Sequence, residues 1–210
     1  MSPRRAAALR GGDRDLREHL IAAAERLIAR RGTAGLTVRD IAREAQVADG
    51  VLYNHFGDKE ELLAQALHAH VRSAERALGE LAVRPGGDTV ERNLRAYLDR
   101  GLALHAAILP AFAGLLARPD TLARLAALPN PMAAGRGLRS ELADYLRAER
   151  DLGRLAPDAD VDVAATMLIG ACHELILPRL LRGESAAELR IPPGFVDGLV
   201  ATVLAGIGPH

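Results

Sequence analysis

Side chains that could do chemistry are few in this chain, and their spacing argues against catalysis. Cys172 and His173 place a nucleophile and a base in adjacent positions. Neighbouring residues on a helix point about 100° apart, so these two side chains cannot pair with each other. The sequence has no glycine-rich phosphate loop and no set of cysteines at metal-binding spacing. We therefore expect no enzymatic activity and no cofactor.

The histidines predict no metal site. His68 and His70 are two residues apart on a predicted helix, so their side chains diverge. Asp15 and His19 have the i, i+4 spacing of two ligands on one helix face, but no third ligand accompanies them. We therefore expect this chain to bind other molecules rather than to catalyse a reaction.

The residues best spaced for recognition lie in two short predicted helices. The first follows Thr37, whose hydroxyl is expected to cap it with Asp40 as the reciprocal partner. Its apolar positions repeat at helical spacing: Val38, Ile41, Ala42 and Ala45. Residues 46–48 separate it from a second helix, expected at about 49–54 and ended by Gly57. Two such helices form a helix-turn-helix, whose second helix can enter the major groove of DNA.

The segment 37–62, TVRDIAREAQVADGVLYNHFGDKEEL, resembles the DNA-binding signature of TetR-family transcriptional regulators. The preceding helix, with Ile21–Ala24 and a stop at Arg31–Gly32, also matches. The resemblance covers residues 14–75 in detail, and the remainder is similar in length and helical character. It implies a three-helix DNA-binding domain joined by a long helix to a C-terminal helical domain.

Phosphate contacts are implied by the resemblance for four residues. Tyr53, His55 and Lys59 are expected to touch the DNA backbone, and Lys59 also lies near a helix N-terminus, which favours anions. Thr37 is expected to contact a phosphate in addition to capping its helix. The alternative for Tyr53 and His55 is packing within the hairpin, and both roles can hold together.

Base reading is assigned to the side chains with suitable hydrogen-bonding groups. Arg39 suits guanine O6/N7 and Asn54 suits adenine N6/N7, while Asp49 can accept from a cytosine amine. A carboxylate near DNA is unfavourable unless it is well placed. The complete set of DNA-binding candidates is Thr37, Arg39, Asp49, Gly50, Tyr53, Asn54, His55 and Lys59.

Two residues of the turn depart from the family pattern. Gln46 stands where the family usually has Gly, so it must tolerate the backbone geometry of the turn. Ala48 stands where a capping Ser is usual, so we expect Asp49 to cap the second helix instead. Leu52 and Phe56, four residues apart, are expected to anchor that helix to its neighbours. These departures bear on base reading and leave the fold unchanged.

An all-α fold of about nine or ten helices follows from the helical periodicity, which is strong almost everywhere. Residues 1–13 are expected to be a flexible basic arm, 14–75 the DNA-binding domain and 76–210 a ligand-binding and dimerisation domain. A long helix is expected at 58–81, opened by a capping box at Asp58. Further helices are expected at about 89–109, 111–117, 120–127, 132–151, 160–182 and 194–207, with a break near Pro110.

The C-terminal region is expected to hold a small-molecule pocket and a dimer interface, as the resemblance implies. The small, nearly uncharged residues 163–173 and the helix 196–207 suit a four-helix interface between two copies. The alternative is that both helices are core within one chain. Candidate ligand-binding residues are Tyr97, His105, Phe112, Tyr145 and His173, although each also suits a satisfied core position.

Composition excludes several other classes of protein. Basic and acidic residues number 27 each, so a globally polybasic binder is excluded and any DNA contact depends on local charge. Arg4, Arg5 and Arg10 supply such charge in the N-terminal arm, which would either reach along DNA or remain solvated. The single cysteine, the lack of a signal peptide and the lack of a sufficiently long uncharged stretch predict a cytoplasmic protein that does not enter the membrane.

The function predicted from these patterns is sequence-specific transcriptional regulation. We expect a homodimeric repressor that leaves an inverted-repeat operator when a small-molecule effector binds. Activation of transcription, in place of repression, is the nearest variant of this function. The alternative of a different class is an all-α binding or scaffold protein whose helix-turn-helix no longer functions.

Overall fold

Every regular element in the described part of the chain is an α-helix. The computed structural model describes residues 13–115, 118–129, 137–182 and 190–207. Its helices are α1 (Asp13–Arg31), α2 (Val38–Ala45), α3 (Val51–His55), α4 (Lys59–Ala77), α5 (Val90–Ala113), α6 (Pro119–Ala127), α7 (Leu138–Asp151), α8 (Val161–Leu181) and α9 (Phe195–Ile207). The expectation of an all-α fold is confirmed. The basic arm with Arg4, Arg5 and Arg10 lies outside the described residues.

The first of two compact units joins residues 13–75 to the described part of 108–130. Its core is formed by one face of α1, by α2 and α3, and by the first half of α4, with the end of α5 and α6 packed alongside. The fully buried side chains include Leu20, Ile28, Leu36, Ile41, Leu62, Leu63, Leu67 and Leu115. The described part of 108–130, which was expected in the C-terminal domain, therefore packs with the helix-turn-helix.

The second unit comprises 76–107 and the described residues beyond 131. Helix α8 packs against α7 and α9, and the first part of α5 completes the core. The buried residues are mainly aliphatic: Leu94, Leu98, Leu142, Leu146, Ala165, Leu168 and Val200. Asp160 caps α8 by accepting from the Val163 N–H at 3.0 Å, so the predicted start of this helix is confirmed.

Helix α5 continues through Pro110 to Ala113, so the expected break near this proline is wrong. Proline removes one intrahelical hydrogen bond, yet packing at the helix end compensates. The buried Thr33 hydroxyl donates to the Ala111 carbonyl at 2.8 Å, satisfying an otherwise orphaned acceptor of the last turn. Gly114 lets the backbones approach, since a Cβ there would lie 2.6 Å from Thr33 Oγ1. The position of this helix end depends on the residues after α1.

Helix α4 ends at Ala77, four residues before the position expected from the apolar pattern. Gly79 follows in the left-handed conformation with φ of 67°, which ends the helix. The Arg100 guanidinium donates to the carbonyls of Leu78 and Gly79, at 3.4 and 2.6 Å. Leu81 instead packs against the core of the second unit. The apolar spacing therefore continues beyond the last residue of the helix, and the left-handed Gly79 determines where the helix ends.

Candidate nucleic-acid interface

The predicted capping box fixes the start of α2. The Thr37 hydroxyl accepts from the Asp40 N–H at 3.1 Å, and the Asp40 carboxylate accepts from the Thr37 N–H at 3.0 Å. The Thr37 hydroxyl also donates to the Asp40 carboxylate at 2.6 Å. This bond, the bond from the Thr37 N–H and the nearby Arg31 guanidinium lower the pKa of Asp40. The capping prediction for Thr37 is confirmed, and its exposed side chain stays at the surface.

Gln46 forms the sharp turn between α2 and α3. Its φ of 58° and ψ of 43° are left-handed, and no other non-glycine residue in the described ranges has a positive φ. Its N–H donates to the carbonyls of Ala42 and Arg43 and so closes the last turn of α2. The expectation that Gln46 must accept unusual backbone geometry is confirmed. A side chain in this conformation costs free energy that glycine would avoid.

Helix α3 begins at Val51 with Gly50 as its N-cap, and no side chain caps it. The expectation that Asp49 caps this helix is therefore wrong. The Asp49 carboxylate instead accepts from Arg39 Nε at 3.4 Å. The cationic partner on α2 draws the carboxylate away from the first N–H groups of α3. The structure thus pairs two of the three predicted base-reading side chains with each other.

The short helix α3 has one buried and one exposed face. Leu52 and Phe56 are almost completely buried in the first core, which confirms that they anchor the helix. Tyr53 is 62% exposed and Asn54 is exposed, whereas His55 is partly buried. The anchoring residues therefore turn Tyr53 and Asn54 outward, as contact with DNA requires.

Arg17 of α1 contacts Phe56, the residue that follows α3, and two side chains of α4. The Arg17 guanidinium lies 4.4 Å from the centroid of the Phe56 ring and donates to Glu61 and Gln65, each at 2.7 Å. A cation above an aromatic face is attracted to it, and the two hydrogen bonds set its orientation. Sequence reasoning missed this residue, because nothing near Arg17 in the chain indicates that it reaches Phe56.

Asp58 stabilises the start of α4 through one contact with α4 itself and another with α6. Its carboxylate accepts from the Glu61 N–H at 2.9 Å, while the Glu61 side chain accepts from the Gly57 N–H at 2.8 Å. The Arg124 guanidinium of α6 donates to both oxygens of the same carboxylate, with 2.6 Å between Nη2 and Oδ2. These contacts lower the pKa of Asp58. The predicted cap is confirmed, and the tie to Arg124 was not predicted.

Lys59, the first residue of α4, is partly buried beside the helix-turn-helix. Burial and the nearby Arg118 guanidinium lower the pKa of its ammonium group, while Glu60 and Asp40 oppose that effect. Its position at a helix start suits the phosphate contact expected of it. The exposed Thr37, Arg39, Asp49, Gly50, Tyr53 and Asn54 belong to this same unit.

Comparison with known proteins identifies the family of this unit. Residues 20–66 match the model of bacterial regulatory proteins of the tetR family. The DNA-binding unit of this chain is of the TetR type.

Two curated relatives match the N-terminal part of this chain. The repressor NemR of Escherichia coli is 32% identical over 85 residues, which are 40% of this chain and 43% of NemR. An uncharacterised helix-turn-helix regulator of Haemophilus influenzae is 42% identical over 60 residues, 29% of this chain and 32% of its own. The chain thus spans less than half the length of these curated relatives.

The whole fold is similar to solved structures. One from Mesorhizobium loti, assigned to the TetR family of transcriptional regulators, superposes with a TM-score of 0.69 at 19% identity. The match covers 93% of this chain and 98% of the other. At that identity the similarity establishes the fold alone.

The predicted ligand-binding residues form two separate pairs, and a fifth residue lies apart from both. Tyr97 and Tyr145 are buried in the second unit with ring centroids 5.4 Å apart. His105 and His173 pack edge to face at 4.2 Å. Phe112 lies against the core of the first unit.

Burial controls the chemistry of these aromatic pairs. Asn93 Nδ2 donates to the Tyr145 hydroxyl at 2.9 Å, and burial raises the pKa of Tyr97 to about 12. The pKa of His105 is lowered to about 4 by burial and by His173, so the ring is neutral near pH 7. The Nδ1 of His105 is 2.6 Å from the Gly101 carbonyl, which places the proton on that nitrogen.

Cys172 and His173 point to different surroundings, which confirms that they cannot act together. The Cys172 thiol is buried, and burial raises its pKa to about 11, whereas His173 is exposed. A thiol with a raised pKa is a poor nucleophile. Among the described residues, no group of three or more His, Cys, Asp or Glu side chains is arranged to hold a metal ion.

One helix within the described ranges, α8, is long and apolar enough to cross a membrane by length and composition. Its uncharged residues do not form one long stretch, because Asp162 and Glu174 lie within the helix. In the fold, 39% of its most apolar window is buried. A core helix of a globular protein passes the same test.

Proposed function

We propose that this chain is a sequence-specific, homodimeric DNA-binding regulator that represses transcription until an effector binds. The observation that carries the proposal is the outward face of α2 and α3. Arg39 is 77% exposed and Tyr53 62% exposed, while Leu52 and Phe56 hold the same helices in the core. A rigid scaffold that presents exposed polar side chains is what base reading requires.

The division of labour follows the two units. Residues 14–75, with the described part of 108–130 packed alongside, would bind DNA, and the rest of 76–210 would supply dimerisation and effector binding. Arg39 and Asn54 would read bases, while Thr37, Tyr53, His55 and Lys59 would contact phosphates. Repression is the favoured sign of regulation because the relative NemR is named a repressor. Acting within the cell on DNA is consistent with a cytoplasmic location.

Dimerisation is supported by an apolar stripe on α8. Val163, Met167, Leu177 and Leu181 are between 41% and 72% exposed, and their spacing places them on one face of the helix. Exposed apolar residues on one helix face mark an interaction surface, and Gly170 and the exposed Glu174 lie between the two pairs on this face. A second copy related by a two-fold axis would bury this face and present two copies of α3 about 34–36 Å apart.

Effector binding would act through a difference in affinity between two arrangements of the dimer. The aromatic pairs Tyr97–Tyr145 and His105–His173 supply polar groups within an apolar unit, the mixture that ligand cavities use. An apolar or amphipathic effector suits such surroundings.

The test begins with selection from random duplex DNA, followed by anisotropy titration at two salt concentrations. We expect an enriched inverted repeat and affinity that falls steeply with salt. Asn54→Ala should lose preference at one base pair of each half-site by about tenfold or more, and Arg39→Ala at another. Arg72→Ala, which removes an exposed arginine of α4, serves as the matched control.

The same experiment distinguishes the proposal from the alternative of a scaffold protein. A scaffold with a non-functional helix-turn-helix would enrich no sequence, and Arg39→Ala with Asn54→Ala would change nothing. Retention of full site preference in the double variant would disprove the assignment of these two readers.

A further inference from the structure

A cleft of about 440 Å³ opens on the first unit beside the start of α4. The described residues that line it come from two helix starts, those of α4 and α6: Lys59, Glu60, Arg118, Pro119, Asp120 and Thr121. None of the predicted effector-binding residues lines this cleft. It therefore requires its own explanation.

Thr121 is the feature of the cleft that a purely structural role does not explain. Its side chain is 0% exposed, and its hydroxyl oxygen has no hydrogen-bond partner among the described residues. A buried hydroxyl without a partner costs about 1–3 kcal/mol relative to a satisfied one. An apolar residue would avoid this cost. Thr121 is among the residues that line the cleft, so a ligand in the cleft that accepts a hydrogen bond would satisfy this hydroxyl.

Charge in the cleft favours an anion. Lys59 and Arg118 balance Glu60 and Asp120 formally, but each helix start adds roughly half a positive charge. No side chain caps α6, and proline occupies its first position, so its leading N–H groups are open to a ligand. The Arg118 guanidinium is already 3.8 Å from the Glu60 carboxylate. Lys59 has neither a hydrogen bond nor an ion pair within the described ranges, so its ammonium is available.

We propose that this cleft binds the phosphoryl group of a small phosphorylated compound, held by Lys59, the Thr121 hydroxyl and the first N–H groups of α6. A tetrahedral oxyanion supplies several acceptors at once, as three converging donors require. Thr121 is fully buried and Lys59 only partly buried, so the hydroxyl lies deeper than the ammonium. A terminal phosphoryl group reaches both, whereas a phosphate within a duplex strand reaches only the outer one.

The consequence rests on the proposed function. Lys59 is also the expected contact to a DNA phosphate, so the compound and the operator would compete for one ammonium group. Occupancy of the cleft would then weaken operator binding directly at the DNA-binding unit. This route is independent of any effector bound in the second unit.

The first experiment uses the full-length protein without DNA and inorganic phosphate as the probe. Lys59 is the only lysine, so reductive methylation with ¹³C-formaldehyde yields a single side-chain reporter that keeps its charge. We expect its NMR signal to shift and saturate with phosphate at millimolar concentrations, but not with chloride at equal ionic strength. Thr121→Val should weaken binding about tenfold or more, while Thr89→Val, at an exposed threonine of the second unit, should leave it unchanged.

Folding of the variant is controlled by its own stability. Replacing an unsatisfied buried hydroxyl by a methyl group of similar shape should leave the melting temperature in chloride unchanged or raised. The phosphate-dependent rise in melting temperature seen for the natural protein should be lost. A signal that never saturates, or that saturates equally in Thr121→Val, would overturn the proposal.

The second experiment separates the two sources of phosphate. We expect phosphate to displace operator DNA from the natural protein and to displace it much less from Thr121→Val, whose DNA affinity is otherwise the same. If Thr121→Val instead weakens DNA binding and free phosphate does not bind, the cleft takes a strand phosphate and the proposal fails. The NMR titration needs no DNA, so failure of the proposed regulatory function would not affect it.

Discussion

The helix-turn-helix of the first unit and helix α8 of the second expose different kinds of side chain. In the first, apolar residues are buried beneath the helix-turn-helix, and Arg39, Tyr53 and Asn54 are exposed. In the second, Tyr97, His105 and Tyr145 are buried, while α8 exposes Met167 and other apolar residues. A polar surface on a rigid core suits contact with a charged polymer. An apolar surface over a partly polar core suits contact with another protein surface.

The buried acid of the second unit extends this contrast. Glu149 is completely buried and accepts from the Gly86 N–H at 3.1 Å, and its other oxygen is 3.0 Å from Arg154 Nη1. Arg154 also donates to the Asp88 carbonyl. This network attaches the loop before α5 to the end of α7. Glu149 is therefore a buried charge that organises the interior of the second unit.

The largest expected effect comes from breaking the apolar stripe of α8. Met167→Arg places a charge at the centre of the proposed dimer surface, where its desolvation opposes association. We expect a monomer by light scattering and operator affinity lowered by about a hundredfold or more, because one half-site alone is then contacted. Leu152→Arg, at an apolar residue that is 57% exposed outside α8, is the control. A dimeric Met167→Arg protein would show that the stripe is not the interface.

A smaller effect concerns the buried His105 of the second unit. Its pKa of about 4 lies below the ordinary value of about 6.5, so the unfolded chain binds the proton first as the pH falls. Stability is therefore lost as the pH falls from 6.5 towards 4, by about 2 kcal/mol between pH 7.5 and pH 5. His105→Gln should remove most of this dependence in urea unfolding, and His173→Gln, at an exposed ring, should remove less. An unchanged slope in His105→Gln would contradict burial as the cause.

A substitution at Gln46 is expected to raise the stability of the first unit, which gives a test of the turn. Gln46→Gly relieves the left-handed backbone at the end of α2 and should raise the free energy of unfolding by about 1 kcal/mol. Arg43→Gly, within the same helix, should lower it by a similar amount. Reduced stability in Gln46→Gly would mean that the glutamine side chain contributes more than its backbone costs.

The smallest effect is expected from the pair between Arg39 and Asp49. Their Nε–Oδ2 distance of 3.4 Å and their exposure make this a weak ion pair. Asp49→Asn should release Arg39 and remove a charge that repels DNA, raising operator affinity two- to fivefold at low salt. A decrease confined to one base pair would show that Asp49 itself reads cytosine, as the sequence analysis allowed. Anisotropy with single-substitution operators distinguishes the two results.

Local signals predicted the helix-turn-helix well. The Thr37–Asp40 capping box, the special turn at Gln46 and the anchoring by Leu52 and Phe56 all involve residues within a few positions of each other. Backbone caps and apolar spacing act over one or two helical turns, so the sequence alone reveals them. The cap of α3 was mispredicted because Asp49 is drawn to Arg39 across the turn.

Contacts between distant segments could not be predicted in this way. Asp58 and Arg124 are 66 positions apart, and nothing near either residue signals their ion pair. The continuation of α5 through Pro110 depends in the same way on Thr33 and Gly114. The candidate ligand residues were chosen for being polar or aromatic on apolar helices. That criterion could not tell that Phe112 lies in the first unit.

The sequence by itself determined the all-α fold class, the helix-turn-helix and the hydrogen-bonding groups that its exposed side chains offer. Those properties follow from periodicity, capping and side-chain type, all of which depend on residues that are close together in the sequence. Tertiary structure alone decided that α6 joins the DNA-binding unit and that Thr121 is buried beside Lys59 without a partner. Packing of segments some sixty residues apart depends on shape and burial summed over many contacts, which no short stretch of sequence records.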